Sequence, residues 1–176
     1  MEKGLIHIYC GDGKGKTTAA MGLAIRAAGR DKKVFITQFL KSGKSGELVS
    51  LEKLKENIDF LLGKPVNKFV WNMNEAEKNE AKLEHTKRFK EIIEIINTKE
   101  CDLLILDEMI ATINNGFIEL NDVIEFLKNK PEGLEVVMTG RDPKPELIEL
   151  ANYVTEMKCI KHPFEEGIPS RIGIEM

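Results

Sequence analysis

The chain has 176 residues, 42% of them hydrophobic, which suits one compact domain (1–176) with a substantial core. Its formal net charge of -3 gives no polyelectrolyte signature, and so argues against a nucleic-acid partner. No apolar run approaches the roughly 20 residues that span a bilayer, so no membrane partner is expected. The start Met1-Glu2-Lys3-Gly4 leaves no room for a signal peptide ahead of the first strand. Cys10, Cys101 and Cys159 lack Cys-x-x-Cys spacing, and His7, His85 and His162 are scattered, which argues against disulfide staples and a zinc knuckle. A cytoplasmic enzyme is the expectation.

Leu5–Cys10 reads as a short apolar strand, followed at once by Gly11-Asp12-Gly13-Lys14-Gly15-Lys16-Thr17-Thr18. Strand, glycine-rich turn and helix start are the layout of a nucleotide phosphate cradle. Glycines let successive backbone N–H groups converge on an anion, and the helix N-terminus adds its partial positive charge. Lys16 is placed to reach the phosphates and the Thr17 hydroxyl to ligate magnesium, or manganese in its place. Lys14 is a further phosphate contact or a solvated loop tip. The common spacing Gly-x4-Gly-Lys-Ser/Thr puts its first glycine at position 10, where this chain has Cys10. Either the loop is one residue shorter or Cys10 tolerates that geometry.

Thr17–Gly29 is predicted as the first helix, with Gly29 ending it. Lys33–Phe39 reads as a second strand, followed by a polar loop over 41–46 and a short helix over Glu47–Glu56. Lys41, Ser42 and Glu47 could meet a ligand at the sheet's carboxyl edge or simply be solvated. Ile58–Leu62 and Lys68–Trp71 are short apolar pieces, one or both of them strands. Asn74–Asn97 is the longest helix, with an Asn74/Glu77 capping box and a core stripe at Phe89, Ile92, Ile93 and Ile96.

Cys101–Leu106 is a nearly continuous apolar strand of the kind buried in a parallel sheet, and it runs into Asp107 and Glu108. A strand ending in carboxylates delivers an acid beside a phosphate-bound magnesium. Asp107 or Glu108 would hold the ion directly or through water, unless both merely cap the following turn. A second acid also suits a water-activating base, so a P-loop ATPase or kinase cleaving the γ-phosphate is a rival reading. Asn121–Asn129 is predicted as a helix capped by Asn121, and Leu134–Thr139 as a strand. Arg141 follows at the same sheet edge, where it could contact phosphate. Pro145–Ala151 reads as a helix, Tyr153–Lys161 as a strand and Ile172–Glu175 as a terminal strand. The alternation of strands and helices predicts an α/β fold, a three-layer P-loop NTPase of RecA-like type with a mostly parallel central sheet.

The cradle, Phe69-Val70-Trp71, Leu106-Asp107-Glu108, Val137-Met138-Thr139-Gly140-Arg141 and the tail from Lys161-His162-Pro163-Phe164 to Ile172-Gly173-Ile174 occur in that order. Together they resemble the ATP:corrinoid adenosyltransferases of the CobA/BtuR/CobO type over nearly the whole chain. The resemblance implies that a corrinoid reduced to cobalt(I) attacks the ribose 5′ carbon of ATP and expels the whole triphosphate, in adenosylcobalamin biosynthesis or salvage. It also implies a reversed ATP direction in the cradle, an electron-donating flavoprotein and a homodimer. Phe69 and Trp71 would then form an aromatic wall on the lower corrinoid face, keeping the axial ligand from cobalt. Alternate residues on an extended segment point the same way, which suits such a wall. Taken without the resemblance, the pair reads as core or dimer-contact aromatics. His162 reads as structural, because a ligating histidine would defeat that mechanism. A third possibility is a nucleotide-dependent binding module in which Phe69 and Trp71 meet a protein.

Overall fold

A computed structural model describes residues 3–41, 46–64, 68 and 70–175. Among these, six strands form one sheet: β1 (Ile6–Cys10), β2 (Val34–Gln38), β3 (Ile58–Phe60), β4 (Leu103–Asp107), β5 (Glu135–Thr139) and β6 (Tyr153–Glu156). The order is β3-β2-β4-β5-β1-β6, and every pairing is parallel. A parallel sheet needs a crossover between successive strands, and helices α1 (Lys16–Ala28), α2 (Gly46–Leu51), α3 (Glu75–Thr98), α4 (Met109–Asn114), α5 (Leu120–Asn129) and α6 (Pro145–Leu150) supply them.

The period-2 alternation of the strands sorts the core into two layers. Ile6, Ile8, Leu104, Leu106, Val136 and Met138 pack with residues of α3, α4, α5 and α6, including Phe89, Ile92, Ile113 and Phe126. Val34, Ile36, Leu103, Ile105 and Val137 pack instead with Ala20, Met21 and Ala24 of α1 and with Leu51 of α2. The four strand residues from Leu103 to Leu106 are thus buried on both faces, which is why that stretch reads as an unbroken apolar run. The three-layer α/β class expected from the sequence is the one observed.

The capping box at α3 is present as both reciprocal bonds: Glu77 N–H to Asn74 Oδ1 and Asn74 N–H to Glu77 Oε2, each 2.9 Å. Several expectations are corrected. The chain over Val70–Asn72 is a turn of 3-10 helix, closed by Met73 N–H on the Val70 carbonyl, as the chain turns into the Asn74 cap. It is not a strand. Helix α5 starts at Leu120 after an extended Glu119, with no side-chain cap, so Asn121 lies inside it. The helix expected over Glu47–Glu56 ends at Leu51 and passes into a 3-10 turn, Glu52–Leu54. The final strand stops at Glu156, and Ile172–Glu175 is a turn in which Ile174 and Glu175 N–H both reach the Arg171 carbonyl. A helix the sequence reading did not pick out, α4, follows Glu108 directly. None of the described helices is long and apolar enough to cross a membrane.

Candidate active site at the carboxyl edge of the sheet

Because all strands run the same way, Cys10, Gln38, Asp107, Thr139 and Glu156 end at one edge, and the loops that follow them meet there. Cys10 is the last residue of β1, opposite Glu156, and its side chain is buried in the core. Position 10 is therefore regular strand, and the first backbone conformation that needs glycine falls at Gly11, with φ +99°. A Cβ on Gly11 would lie 2.4 Å from the Met157 carbonyl oxygen, and one on Gly13 would lie 2.6 Å from it. The loop is braced there: Gly13 N–H donates to the Met157 carbonyl (2.7 Å) and Cys159 N–H donates to Asp12 Oδ1 (3.2 Å). Met157 N–H still reaches the Cys10 carbonyl of β1 (2.8 Å), but its own carbonyl turns to Gly13, and β6 ends at Glu156.

Gly15, with φ +112°, turns the chain into α1, and its carbonyl accepts the first helical bond from Ala19. The N–H groups of the first helical turn have no partner within the helix and face the loop opening. Lys16 folds back over the loop, its Nζ donating to the Gly13 carbonyl at 2.7 Å. Burial, and then the neighbouring Arg141 charge, push the Lys16 amine below the usual lysine range. Lys14 and Thr18 are exposed at the loop tip and helix start.

The centre of the site is Asp107, whose side chain is fully buried. Its Oδ1 accepts from Thr17 Oγ1 (2.8 Å) and from Thr139 Oγ1 (2.7 Å). Its Oδ2 accepts from Lys41 Nζ (2.7 Å) and Gln38 Nε2 (3.0 Å). The Thr139 hydroxyl also accepts the Glu108 N–H at 2.9 Å, so one hydroxyl at the end of β5 ties both acids to the sheet. Thr17 and Asp107, two of the residues expected to hold metal, are therefore brought together directly.

Glu108 sits at φ +60° on a tight turn and is half-buried, and its carboxylate has no hydrogen-bond partner among the described residues. Burial, and then the Asp107 charge, raise its pKa above the ordinary glutamate value, while Lys41, Lys16 and Arg141 oppose that rise. Those opposing charges place Arg141, whose side chain is exposed, within electrostatic reach of the cradle.

The oxygen donors fit a hard divalent cation. Thr17 and Asp107 converge on a point beside the cradle, and a cation already stands there: the Lys41 ammonium lies 2.7 Å from Asp107 Oδ2 and 3.3 Å from Thr17 Oγ1. No group of three or more acidic, histidine or cysteine side chains could hold a metal among the described residues. A metal here would thus complete its shell with phosphate oxygens and water, as magnesium commonly does.

Phe69 lies outside the described residues, as does Ser42. Trp71 is 77% exposed, on the 3-10 turn. Trp71 stands in that 3-10 turn and not in an extended segment, so the side-chain alternation of a strand does not apply to it.

Sequence reasoning missed Gln38 and Met157 in this site, and it also missed Arg88, which lies beneath it. Arg88 Nη1 donates to the Gln38 carbonyl at 3.0 Å, with the guanidinium 4.9 Å above the Phe39 ring and bonded to Glu84 at 2.9 Å. A glutamine at the end of a fully buried strand was the available signal for Gln38. Met157 meets the loop through its backbone carbonyl, and the Arg88 guanidinium reaches a backbone carbonyl of a distant strand, so neither carries a sequence signal.

The sequence profile of the family described as ATP:corrinoid adenosyltransferase BtuR/CobO/CobP matches residues 2–176. A corrinoid adenosyltransferase of Pseudomonas aeruginosa is 32% identical over 176 residues, covering 99% of this chain and 84% of the relative. One from a Sinorhizobium species is 35% identical over 178 residues, covering 99% and 81%. The corrinoid adenosyltransferase CobA of Salmonella typhimurium is 32% identical over 179 residues, covering 99% and 86%.

Proposed function

The chain belongs to the ATP:corrinoid adenosyltransferase family, an enzyme family that moves the adenosyl group of ATP to a reduced corrinoid, and we propose that the Asp107-centred site is where this chain does so. The observation that carries the proposal is the convergence on one buried carboxylate of Thr17 from the cradle, Thr139 from β5 and Lys41 from the loop after β2. The chain acts as one domain. Its glycine loop, from Gly11 through Asp12, Gly13, Lys14 and Gly15, presents backbone N–H groups to the triphosphate. Lys16 exchanges the Gly13 carbonyl for phosphate oxygen, Thr18 lies at the helix start beside it, and Arg141 adds charge at the rim.

Thr17 and Asp107 would hold magnesium or manganese, with Glu108 beside them. A divalent ion bound there supplies neutralisation of charge on the departing triphosphate. In the transfer, the cobalt(I) electron pair forms the cobalt–carbon bond to C5′. The C5′–O5′ bond breaks, and its electrons leave with the triphosphate. No side chain has to remove a proton, because the metal-centred nucleophile carries none. The work of Lys16 and the loop amides is electrostatic, directed at the charge that builds on O5′.

Trp71, exposed at the turn before α3, would lie against the corrinoid, a role it would share with Phe69. A homodimer is supported by the uncovered edge strand β6, where all four residues are exposed, and by exposed Ile160 and Phe164 in the tail. An electron-donating flavoprotein would supply cobalt(I), and the cytoplasm is where ATP and such a donor meet.

One observation favours γ-phosphate cleavage instead. Glu108 is a half-buried carboxylate with a raised pKa and no side-chain partner among the described residues, which is what a water-activating base looks like. Product analysis separates the two readings. Incubation with Mg-ATP and chemically reduced corrinoid is expected to give tripolyphosphate and a light-sensitive cobalt–carbon product. ADP and orthophosphate alone would support the hydrolase, and ligand binding without turnover would support a nucleotide-dependent binding module.

A further inference from the structure

The residue that carries an inference beyond this reading is Lys41. The chain leaves β2 through Phe39, whose N–H bonds the Asp107 carbonyl at 3.0 Å, and through Leu40, whose φ of +54° is left-handed. A leucine in that conformation costs on the order of 1–2 kcal/mol. This strained turn folds the Lys41 side chain back over the sheet edge. Its ammonium then faces Asp107 Oδ2 at 2.7 Å, Thr17 Oγ1 at 3.3 Å and Glu47 Oε1 at 3.7 Å. Two carboxylates and a hydroxyl around one cation form a donor set of the kind a hard divalent ion takes.

An ammonium and a metal cannot share that position. Magnesium requires oxygens at about 2.0–2.1 Å, and two cations at contact distance repel strongly beside a buried carboxylate. We infer that Lys41 is an internal counter-cation: it neutralises buried Asp107 while the nucleotide is absent, and it yields Asp107 and Thr17 only to a divalent ion that arrives with a triphosphate. The inference rests on the reading that Thr17 and Asp107 hold metal. Its consequence is that metal alone binds poorly. A bare divalent ion must displace Lys41 from buried Asp107 with only the more distant Glu47 and solvent to receive the ammonium, whereas a metal–triphosphate brings phosphate oxygens that Lys41 can turn to. Lys41 is in this sense a positioning residue, and it makes metal loading conditional on substrate.

The test is Mn2+ binding to the full-length, nucleotide-free protein, read from loss of the free-ion signal in electron paramagnetic resonance. The wild type is expected to bind Mn2+ weakly, and Lys41→Met to bind it at least about tenfold more tightly, because a like charge has left the site. Adding Asp107→Asn to Lys41→Met is expected to abolish the gain. If Lys41→Met fails to fold with Asp107 unneutralised, Lys41→Gln keeps a hydrogen-bond donor without the charge and is expected to shift affinity the same way. Equal Mn2+ affinity in the wild type and the folded Lys41 variant would overturn the inference. It would leave the metal reading standing, provided Asp107→Asn weakens binding of Mn-ATP. Unchanged Mn-ATP binding in Asp107→Asn would overturn both.

Discussion

The Thr17 hydroxyl donates to Asp107 Oδ1 at 2.8 Å across 90 residues of sequence. The helix after β1 and the end of β4 are not neighbours in the sheet; β5 lies between their strands, and its last residue, Thr139, donates to the same oxygen at 2.7 Å. Thr17→Val and Asp107→Asn are each expected to slow adenosyl transfer by on the order of 10²–10³. The double variant is expected to lose much less than the product of the two, since both substitutions remove one shared contact. Single-turnover kinetics at saturating Mg-ATP check this, and multiplicative losses would mean the residues act separately.

The glycines of the loop differ sharply in what surrounds them. Gly13→Ala would drive a Cβ against the Met157 carbonyl at 2.6 Å, so about 1–3 kcal/mol of destabilisation and a large loss of ATP affinity are expected. Gly22, exposed in the middle of α1, has nothing within 4 Å of an added Cβ. Gly22→Ala is expected to stabilise by about 0.5–1 kcal/mol with ATP affinity unchanged. Denaturant titration of both variants supplies the comparison.

Trp71 is an exposed tryptophan on a short turn, so its removal bears on ligand contact more than on the core. Trp71→Ala is expected to impair reaction starting from cobalt(II) at least about tenfold more than reaction starting from chemically made cobalt(I), the size of effect one buried aromatic contact supports. Equal losses in the two assays would show that Trp71 does not act on the axial ligand.

Glu108 makes the nucleotide-free protein pH-sensitive in a defined direction. Its raised pKa, caused first by burial, means the folded state holds a proton that the unfolded chain has already released. Stability therefore falls as pH rises from the ordinary glutamate value through the raised one. Glu108→Gln removes this dependence, so its melting temperature should gain on the wild type across that window and hold the gain at higher pH. Parallel melting curves would contradict the shift.

The parts of the fold legible in the sequence are those written in local chemistry. The unbroken apolar run before Asp107 marked a doubly buried strand, and Asn74 with Glu77 spelled out a capping box. The glycine loop gave its own function through the residues only glycine can replace. What stayed hidden depends on tertiary context. Helix α4 begins in apolar residues directly after a strand, with no polar residue to mark its start. Strand β6 ends where the Met157 carbonyl and Cys159 N–H turn to the cradle, a contact between distant parts of the chain. Phe-Val-Trp suits an extended segment, yet Val70–Asn72 form a 3-10 turn that leads into the Asn74 cap. Lys41 was visible as a loop charge, but nothing short of the left-handed Leu40 shows that it folds back onto Asp107.

The most direct measurement is the fate of an oxygen-18 label placed at the 5′ bridging position of ATP during turnover with reduced corrinoid. The label is expected in the released tripolyphosphate, because the carbon–oxygen bond breaks. Label retained in ADP, with orthophosphate released from the other end, would contradict adenosyl transfer at this site.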